Sequence, residues 1–499
     1  MHITFVYHGR YHVREALDLE TLAEVIRQGG HEVDLVYDAD TFGVTDNVFQ
    51  APWLARRLSS PGKVAGRVAQ RRPGVVIFSV LPNTFQMACD TAREVKRLLD
   101  VPIVFIGLHP SLAPERCLRE RAVDYVVQGE TEGVVHGLLD ALGGKGVIEE
   151  VGNVWYRDGQ GRPRFTGRAE LVDLDALPLP DKDLFRPDVS HRYSYVAMVS
   201  RGCPYQCSFC EETCCKRLYG ASYYRRKNVE TVMRELVTAK GRYGYREVVF
   251  KDSYLSGNKP WLRELMERYR REIGVPFKCF CTIVSFDEET AQLLKEAGCY
   301  NVEFGLQTWN ERIRREVLKR RETNEQALQA FRCCAEQKLR YDVDHMFNLP
   351  GEDEADHRDG ARFYRSLRHL NRIKVHYLVY LPTAEIVEHG RRTGDLPAEA
   401  EALLEDGWAS DFYDQGHGDE HSQRVTKAYG QLYKLLPVLP EGAYRWLMRG
   451  RRVMWLRWIP GPVMALMQAM MAVRRRDLRF SAYLRLYPVK VMRAIFGLR

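Results

Sequence analysis

Arg201-Gly202-Cys203-Pro204-Tyr205-Gln206-Cys207-Ser208-Phe209-Cys210 is the stretch on which the reading of this chain turns. Cysteines at spacings of four and three put three thiolates in one loop, enough to hold one face of a cubane iron–sulfur cluster. The fourth iron then lacks a protein ligand, and an open coordination position permits chemistry where a four-cysteine cluster carries only electrons. Two plainer readings compete. A structural zinc site prefers four closed ligands, which Cys214 or Cys215 would have to complete. Simple buried thiols are the other reading, since free cysteine is a common core residue.

The loop follows an apolar run, Tyr195–Val199, that reads as a strand. Further strand patterns at Glu247–Phe250, Phe277–Thr282, Asn301–Phe304, Tyr341–Phe347 and Lys374–Leu381 alternate with helical stretches such as Val229–Tyr243 and Glu288–Glu296. Six such units fit a partial parallel barrel of (βα)6 type, whose chemistry sits at the carboxyl ends of its strands. The first ~145 residues alternate in the same way. Strands are expected at Ile3–Tyr7, Glu32–Tyr37, Val75–Val80, Ile103–Ile106 and Asp124–Val127, with helices at Leu19–Gln28, around Met87–Leu99 and from Glu132. That pattern predicts a doubly wound, Rossmann-like parallel sheet. A helical insertion is expected over 43–72. The fold class is therefore α/β, with a doubly wound unit over 1–150, a linker and hairpin over 151–190, a barrel over 191–390 and a mainly helical region over 391–499. Asp158-Gly159 marks the hairpin turn, and Leu177-Pro-Leu-Pro180 is an extended, proline-stiffened stretch.

The CxxxCxxC loop resembles the signature of the radical S-adenosylmethionine (SAM) superfamily, and the likeness extends over roughly Tyr195–Gly390. Within it Val302-Glu303-Phe-Gly-Leu-Gln307-Thr resembles that family's "EFGLQS" strand, Asn348-Leu-Pro-Gly-Glu352 its "GLPGE" segment, and Leu381-Pro-Thr383 its late "P-T" turn. The resemblance implies a [4Fe–4S] cluster on Cys203, Cys207 and Cys210 whose open iron chelates SAM. Reductive cleavage of SAM would then give a 5′-deoxyadenosyl radical that abstracts hydrogen from an unactivated carbon. It further implies Phe209 beside the adenine, Asp252 as a polar SAM contact, Glu303 and Gln307 near the ribose, and Arg321 on the methionine carboxylate. A flavodoxin- or ferredoxin-type protein would deliver the electron.

The N-terminal unit resembles the cobalamin-binding domain found ahead of such barrels in B12-dependent radical SAM enzymes. Ser79-Val-Leu81 matches a Ser-x-Leu element, Gly107 before Leu108-His109-Pro110 stands where the family has Gly-Gly-x-His-Pro, and Gly129-Glu130-Thr-Glu132 resembles its "GE-x-E" turn. Ser79, Leu81, Gly107, Gly129 and Glu130 are thus the expected cobalamin contacts. Small residues at strand ends let a bulky corrin approach the backbone. Ile106 replaces the first of the paired glycines, and no Asp-x-His-x-x-Gly occurs, His8 and His12 having a different context. Cobalamin bound without a protein histidine is the expectation.

Of the 12 cysteines none follows a secretory leader, because Met1–Tyr7 runs into charged, helix-like sequence; reduced thiols in a cytoplasmic protein are expected. The net charge of +8 is uneven: residues 441–499 hold 13 Lys/Arg against Glu441 and Asp477, which leaves the rest of the chain at −3. That tail mixes Trp446, Trp455 and Trp458 with arginines, and its uncharged run Trp458–Val473 is, at 16 residues, too short to span a bilayer. A final basic helix marked by Val489, Met492 and Phe496 follows. Tryptophan beside arginine suits peripheral contact with the inner face of a membrane rather than nucleic acid, and a helix packed on its own barrel is the plainer alternative. Transfer of a methyl group from cobalamin to an unactivated carbon of a small, hydrophobic substrate is the leading expectation. Non-methylating, cyclase-like cobalamin chemistry is the alternative, and a sensing or electron-transfer protein the remote one.

Overall fold

The computed structural model describes residues 1–9, 16–39, 59–186, 188–407, 420–474, 488, 491 and 492. The first half of the insertion expected over 43–72, His12 and most of the final basic helix lie outside the described residues; the insertion's second half is the helix Pro61–Arg71.

The first sheet has seven strands: β1 (His2–Gly9), β2 (Glu32–Ala39), β3 (Val75–Ser79), β4 (Ile103–Ile106), β5 (Tyr125–Val127), β6 (Val154–Arg157) and β7 (Pro163–Phe165). Their order is β2-β1-β3-β4-β5-β6-β7, with β1 to β5 parallel. Residues 3–9 of β1 are all buried because helices cover both faces. Ile3, Phe5 and Tyr7 enter one core and Val6 the other. The chain reverses direction across the sheet between β1 and β3, and such a switch point opens a crevice at the carboxyl ends of the strands.

Residues 151–190 are not a free linker. The expected hairpin forms, but as β6 and β7 it adds two antiparallel strands to the first sheet. Leu184, Phe185 and Val189 then enter the first domain's core. Lys182 is fully buried, its Nζ 2.6 Å from Glu20 and 2.9 Å from the Val196 carbonyl. Apolar anchors and a buried ion pair outweigh the extended, proline-rich character of the segment.

The second sheet is wholly parallel and sequential, from β8 (Tyr195–Ala197) through β11 (Val248–Phe250), β12 (Phe277–Cys281), β13 (Cys299–Gln307) and β14 (Arg340–Phe347) to β15 (Leu370–Tyr377). β8 and β15 do not pair, so the six strands form an open, partial barrel. Helices between the strands start at side-chain caps, such as Asn228 on Thr231 N and Asp353 in a reciprocal box with Asp356. A small antiparallel pair, β9 (Ser200–Arg201) with β10 (Arg225–Arg226), extends from the first strand. β15 begins four residues before the expected start. Its polar residues Arg372, Lys374 and His376 occupy alternate, cavity-facing positions and hide the strand from an apolar search.

The C-terminal region is helical as expected. Helix Glu420–Leu435 packs on β15 and on helix Glu354–Ser366, where the Tyr433 hydroxyl donates to the His357 carbonyl at 2.8 Å. Before it, the chain crosses to the first domain: Arg116 pairs with Asp406, and Gln86 Nε2 donates to the Asp406 carbonyl at 3.0 Å. Leu112 of the first domain shares an apolar cluster with Leu349, Leu381 and Leu404. Among the described residues no helix is long and apolar enough to cross a membrane.

Candidate functional site

The carboxyl ends of both sheets face one cavity of about 1220 Å³, lined by both domains and by Gln468 and Met471 of the C-terminal helix Gly461–Arg474. At its centre is the cysteine loop. Ser208 pins that loop to distant parts of the barrel: its Oγ donates to the Val317 carbonyl at 2.6 Å, its N–H to Leu318, and its carbonyl accepts from Ile386 N–H. Cys210 ends the loop as the N-cap of helix Glu211–Tyr219. Cys203, Cys207 and Cys210 are all part-exposed and all line the cavity. The donor set fits a cluster held by three sulfurs. Burial pushes the Cys203 thiol up to about 11 and raises Cys210 too, so coordination, rather than solvent, is what would hold them as thiolates. Cys215, one turn into the helix, also lines the cavity, with burial and then Glu211 and Glu212 pushing its thiol up to about 12.

The other expected SAM contacts divide. Phe209 lines the cavity and packs on the inter-domain apolar cluster. Asp252 turns one oxygen to the loop, where Oδ1 accepts from Val199 N–H at 2.9 Å and from Ser200 Oγ at 2.6 Å. Its Oδ2 is buried with no partner among the described residues, and burial pushes the carboxyl up to about 6. Gln307, at a left-handed φ of 71°, likewise leaves Oε1 buried and without a partner among the described residues. These two acceptors fit a ligand that brings amino and hydroxyl donors. Glu303, expected near the ribose, lines the cavity and is clasped between Lys278 and Lys374. Burial alone would raise Glu303, but the two lysines hold it well below the usual carboxylate range. Arg321 lines the cavity yet is exposed, whereas its neighbour Arg320 lies 3.8 Å from Cys207 Sγ, donates to the Gly305 carbonyl at 2.6 Å and pairs with Glu322 at 2.5 Å. The inward guanidinium is thus one residue earlier than expected.

On the first domain's side, Leu81, Gly107, Gly129 and Glu130 line the cavity and Ser79 ends β3 just behind them, its Oγ 3.5 Å from Asp18. Gly107 has φ +102°, and a Cβ there would lie 3.1 Å from both Val80 N and O. The bare backbone fits a broad ligand laid across the strand ends. Gly129 and Glu130 serve the domain interface as well. A Cβ on Gly129 would meet the Tyr219 hydroxyl at 1.9 Å, and that hydroxyl accepts from Glu130 N–H at 2.7 Å. The Glu130 carboxylate pairs with Arg225 and, at 3.5 Å, with Arg201, which also pairs with Glu132. Burial alone would raise Glu132; Arg201 holds it low. Asp18 reaches into the cavity, and loss of solvent followed by Glu132 raises its carboxyl. His8, with Nδ1 3.0 Å from Asp38, and His109, stacked on Phe85, are buried away from the cavity lining.

Sequence reasoning missed Arg320, Asp18, Arg201 with Glu132, and the barrel's ionic floor of Lys278, Asp342, Arg372 and Lys374. Lys278 reaches Asp342 at 3.2 Å and Arg372 reaches it at 2.7 Å. The signal was the two-residue spacing of Asp342 with Asp344 and of Arg372, Lys374 and His376, which marks inward positions of barrel strands. The paired cysteines Cys279 and Cys281 lie 4.0 Å apart in the core, Cys299 is equally close to Cys279, and Cys281 faces the cavity.

The sequence model of the radical SAM superfamily matches residues 198–364, and that of the B12 binding domain matches residues 9–139. An uncharacterized methyltransferase of Pyrococcus horikoshii is 26% identical over 298 residues, 58% of this chain and 64% of that protein. An anaerobic magnesium-protoporphyrin IX monomethyl ester cyclase of a Synechocystis species is 24% identical, covering 62% of this chain and 60% of its own. The matches therefore span less than two thirds of either relative. The solved structure of the radical SAM methyltransferase TsrM from Kitasatospora setae, with cobalamin and a [4Fe–4S] cluster bound, superposes with a TM-score of 0.62 at 17% identity, covering 79% of this chain and 75% of that one.

Proposed function

The chain is a radical SAM protein with an N-terminal B12-binding domain, and from that premise we propose that it transfers a methyl group to an unactivated carbon of a small, largely apolar molecule. One observation carries the reading: the three-cysteine loop and the glycine-bearing strand ends of the first domain open onto the same cavity. When bound, the cluster with SAM supplies a hydrogen-abstracting radical and cobalamin supplies the methyl group.

The chain's own residues hold and shield. Cys203, Cys207 and Cys210 ligate the iron, with Arg320 beside Cys207 offsetting the negative charge of the thiolates. Asp252 Oδ2 and Gln307 Oε1 would accept hydrogen bonds from SAM, and Phe209 would offer its base an aromatic neighbour. Leu81 and Gly107 give the corrin a flat, unobstructed seat. The pairing of Arg201 and Arg225 with Glu130 and Glu132 locks the two domains at the cavity wall, which keeps the cofactors at short range and water out. A flavodoxin- or ferredoxin-type protein supplies the electron. The basic, tryptophan-bearing C-terminal region contacts a membrane surface peripherally.

A second reading, cobalamin-dependent chemistry without methyl transfer, draws on the likeness to the Synechocystis cyclase. Anaerobic reconstitution with iron, sulfide, cobalamin and SAM separates the two. Methyl transfer predicts that 5′-deoxyadenosine and S-adenosylhomocysteine rise together once substrate is present. Deoxyadenosine without homocysteine product would favour the second reading.

A further inference from the structure

Helix Gly461–Arg474 carries no charged residue before its last position. Val463, Leu466, Met470 and Val473, spaced three, four and three residues apart, form one stripe, and each is 46–57% exposed. On the opposite side Met464 and Ala469 are buried, and Gln468 and Met471 line the cavity that holds the cysteine loop. One turn of apolar helix therefore separates the outside from the reaction space.

The segment that leads into this helix has a defined chemistry. Trp446, Trp455 and Trp458 are 45%, 58% and 73% exposed. Arg452 lies 5.1 Å over the Trp446 ring and Arg457 4.9 Å over the Trp458 ring. Indoles carrying guanidiniums, in the segment directly ahead of an apolar stripe, match the headgroup layer of a bilayer, and the 13 basic residues against two acidic ones in 441–499 match anionic lipid. A 14-residue helix is too short to cross the hydrocarbon core, so it lies in the plane of the interface.

We propose that this helix is the membrane-side wall of the catalytic cavity, and that the substrate is a membrane-resident amphipathic lipid. It enters past Gln468 and Met471 without passing through bulk water. The inference rests on the cavity being the site of methyl transfer, and it names the class of molecule that site receives. An apolar molecule loses the solvent penalty of leaving the bilayer only if the protein's entrance is itself immersed, which a docked stripe above a cavity-lining face provides.

The test uses the full-length, anaerobically reconstituted protein. Wild type is expected to float with vesicles containing phosphatidylglycerol and to float at least fivefold less with phosphatidylcholine alone. Leu466→Glu/Met470→Glu is expected to lose flotation at least tenfold while SAM cleavage to 5′-deoxyadenosine without substrate is unchanged. When vesicles carry a diazirine-bearing long-chain fatty acid, irradiation is expected to label cavity peptides around Phe280–Val284 and Arg372–His376. Met471→Trp should float normally and reduce that label at least fivefold. Absence of flotation overturns the proposal, as does flotation with no cavity label. So does a stripe that instead seats a second copy, seen as a dimer that the double glutamate variant dissociates without any vesicle binding. Failure of SAM cleavage itself would strike the functional reading, not this one.

Discussion

The two sheets meet the shared cavity with opposite surfaces. At its strand ends the first offers bare backbone and apolar side chains, Leu81, Ile106 and Gly107, with Asp18, Glu130 and Glu132 off to the side on helix and loop, while the second presents charged strand residues, Glu303, Arg372 and Lys374, paired with Lys278 and Asp342 of the same sheet. The difference teaches what each kind of ligand asks of a fold. A broad, rigid macrocycle is recognised by the absence of side chains at the right strand ends. A small charged cosubstrate needs oriented donors and acceptors, which a barrel fixes by pairing its charges with one another and leaving selected atoms, such as Asp252 Oδ2, without a partner among the described residues.

Each half of that comparison can be broken separately. The largest effect is expected from replacing Cys203, Cys207 and Cys210 together by alanine: iron–sulfur absorption and SAM cleavage should vanish, while circular dichroism and cobalamin uptake persist. Next comes the ionic floor. Glu303→Leu takes the counter-ion from Lys374, leaves buried Lys278 with Asp342, and should cost about 3–5 kcal/mol in denaturant unfolding, with Glu303→Asp recovering part of it. Gly107→Val introduces a branched side chain against Val80 at a left-handed backbone position. It should weaken cobalamin binding at least tenfold in a spectroscopic titration and leave deoxyadenosine formation within twofold. An equal loss of both activities would erase the distinction between the sheets.

The smallest effect sharpens a likeness. Each domain buries a neutral histidine: burial lowers His109 in the first and His357 beside the second sheet to about 4. Unfolded, both would titrate near 6.5. Below that pH the unfolded chain binds protons that the folded one refuses, so stability should fall as pH drops from 6.5 toward 4 and level off below. At pH 5.5 each histidine should account for about 1 kcal/mol, and His109→Phe/His357→Phe should flatten the slope of midpoint against pH.

Most of the architecture was legible because buried parallel strands read as apolar runs: β4 begins and ends as expected, and the cysteine loop announces itself by spacing alone. What was not legible depends on partners far away in sequence. Arg320 and Arg321 look alike on paper, and it takes the Gly305 carbonyl, Cys207 and Glu322 to turn the first inward. The ionic floor breaks the apolar rule for strands, since each charge is tolerated only because a neighbouring strand supplies its counter-ion. The segment 151–190 reads as a linker until Phe185 and Lys182 find the first domain.

Ser208 has a consequence for how the protein is made. Its hydroxyl partner lies 109 residues downstream, and its carbonyl waits for Ile386. On a growing chain the sulfur loop gains its first two braces only once residue 318 is made, and its third only with residue 386. A truncation before residue 386 would therefore emerge with the loop held at Val317 and Leu318 but not at Ile386, and its cysteines more open to oxidation than in the full chain.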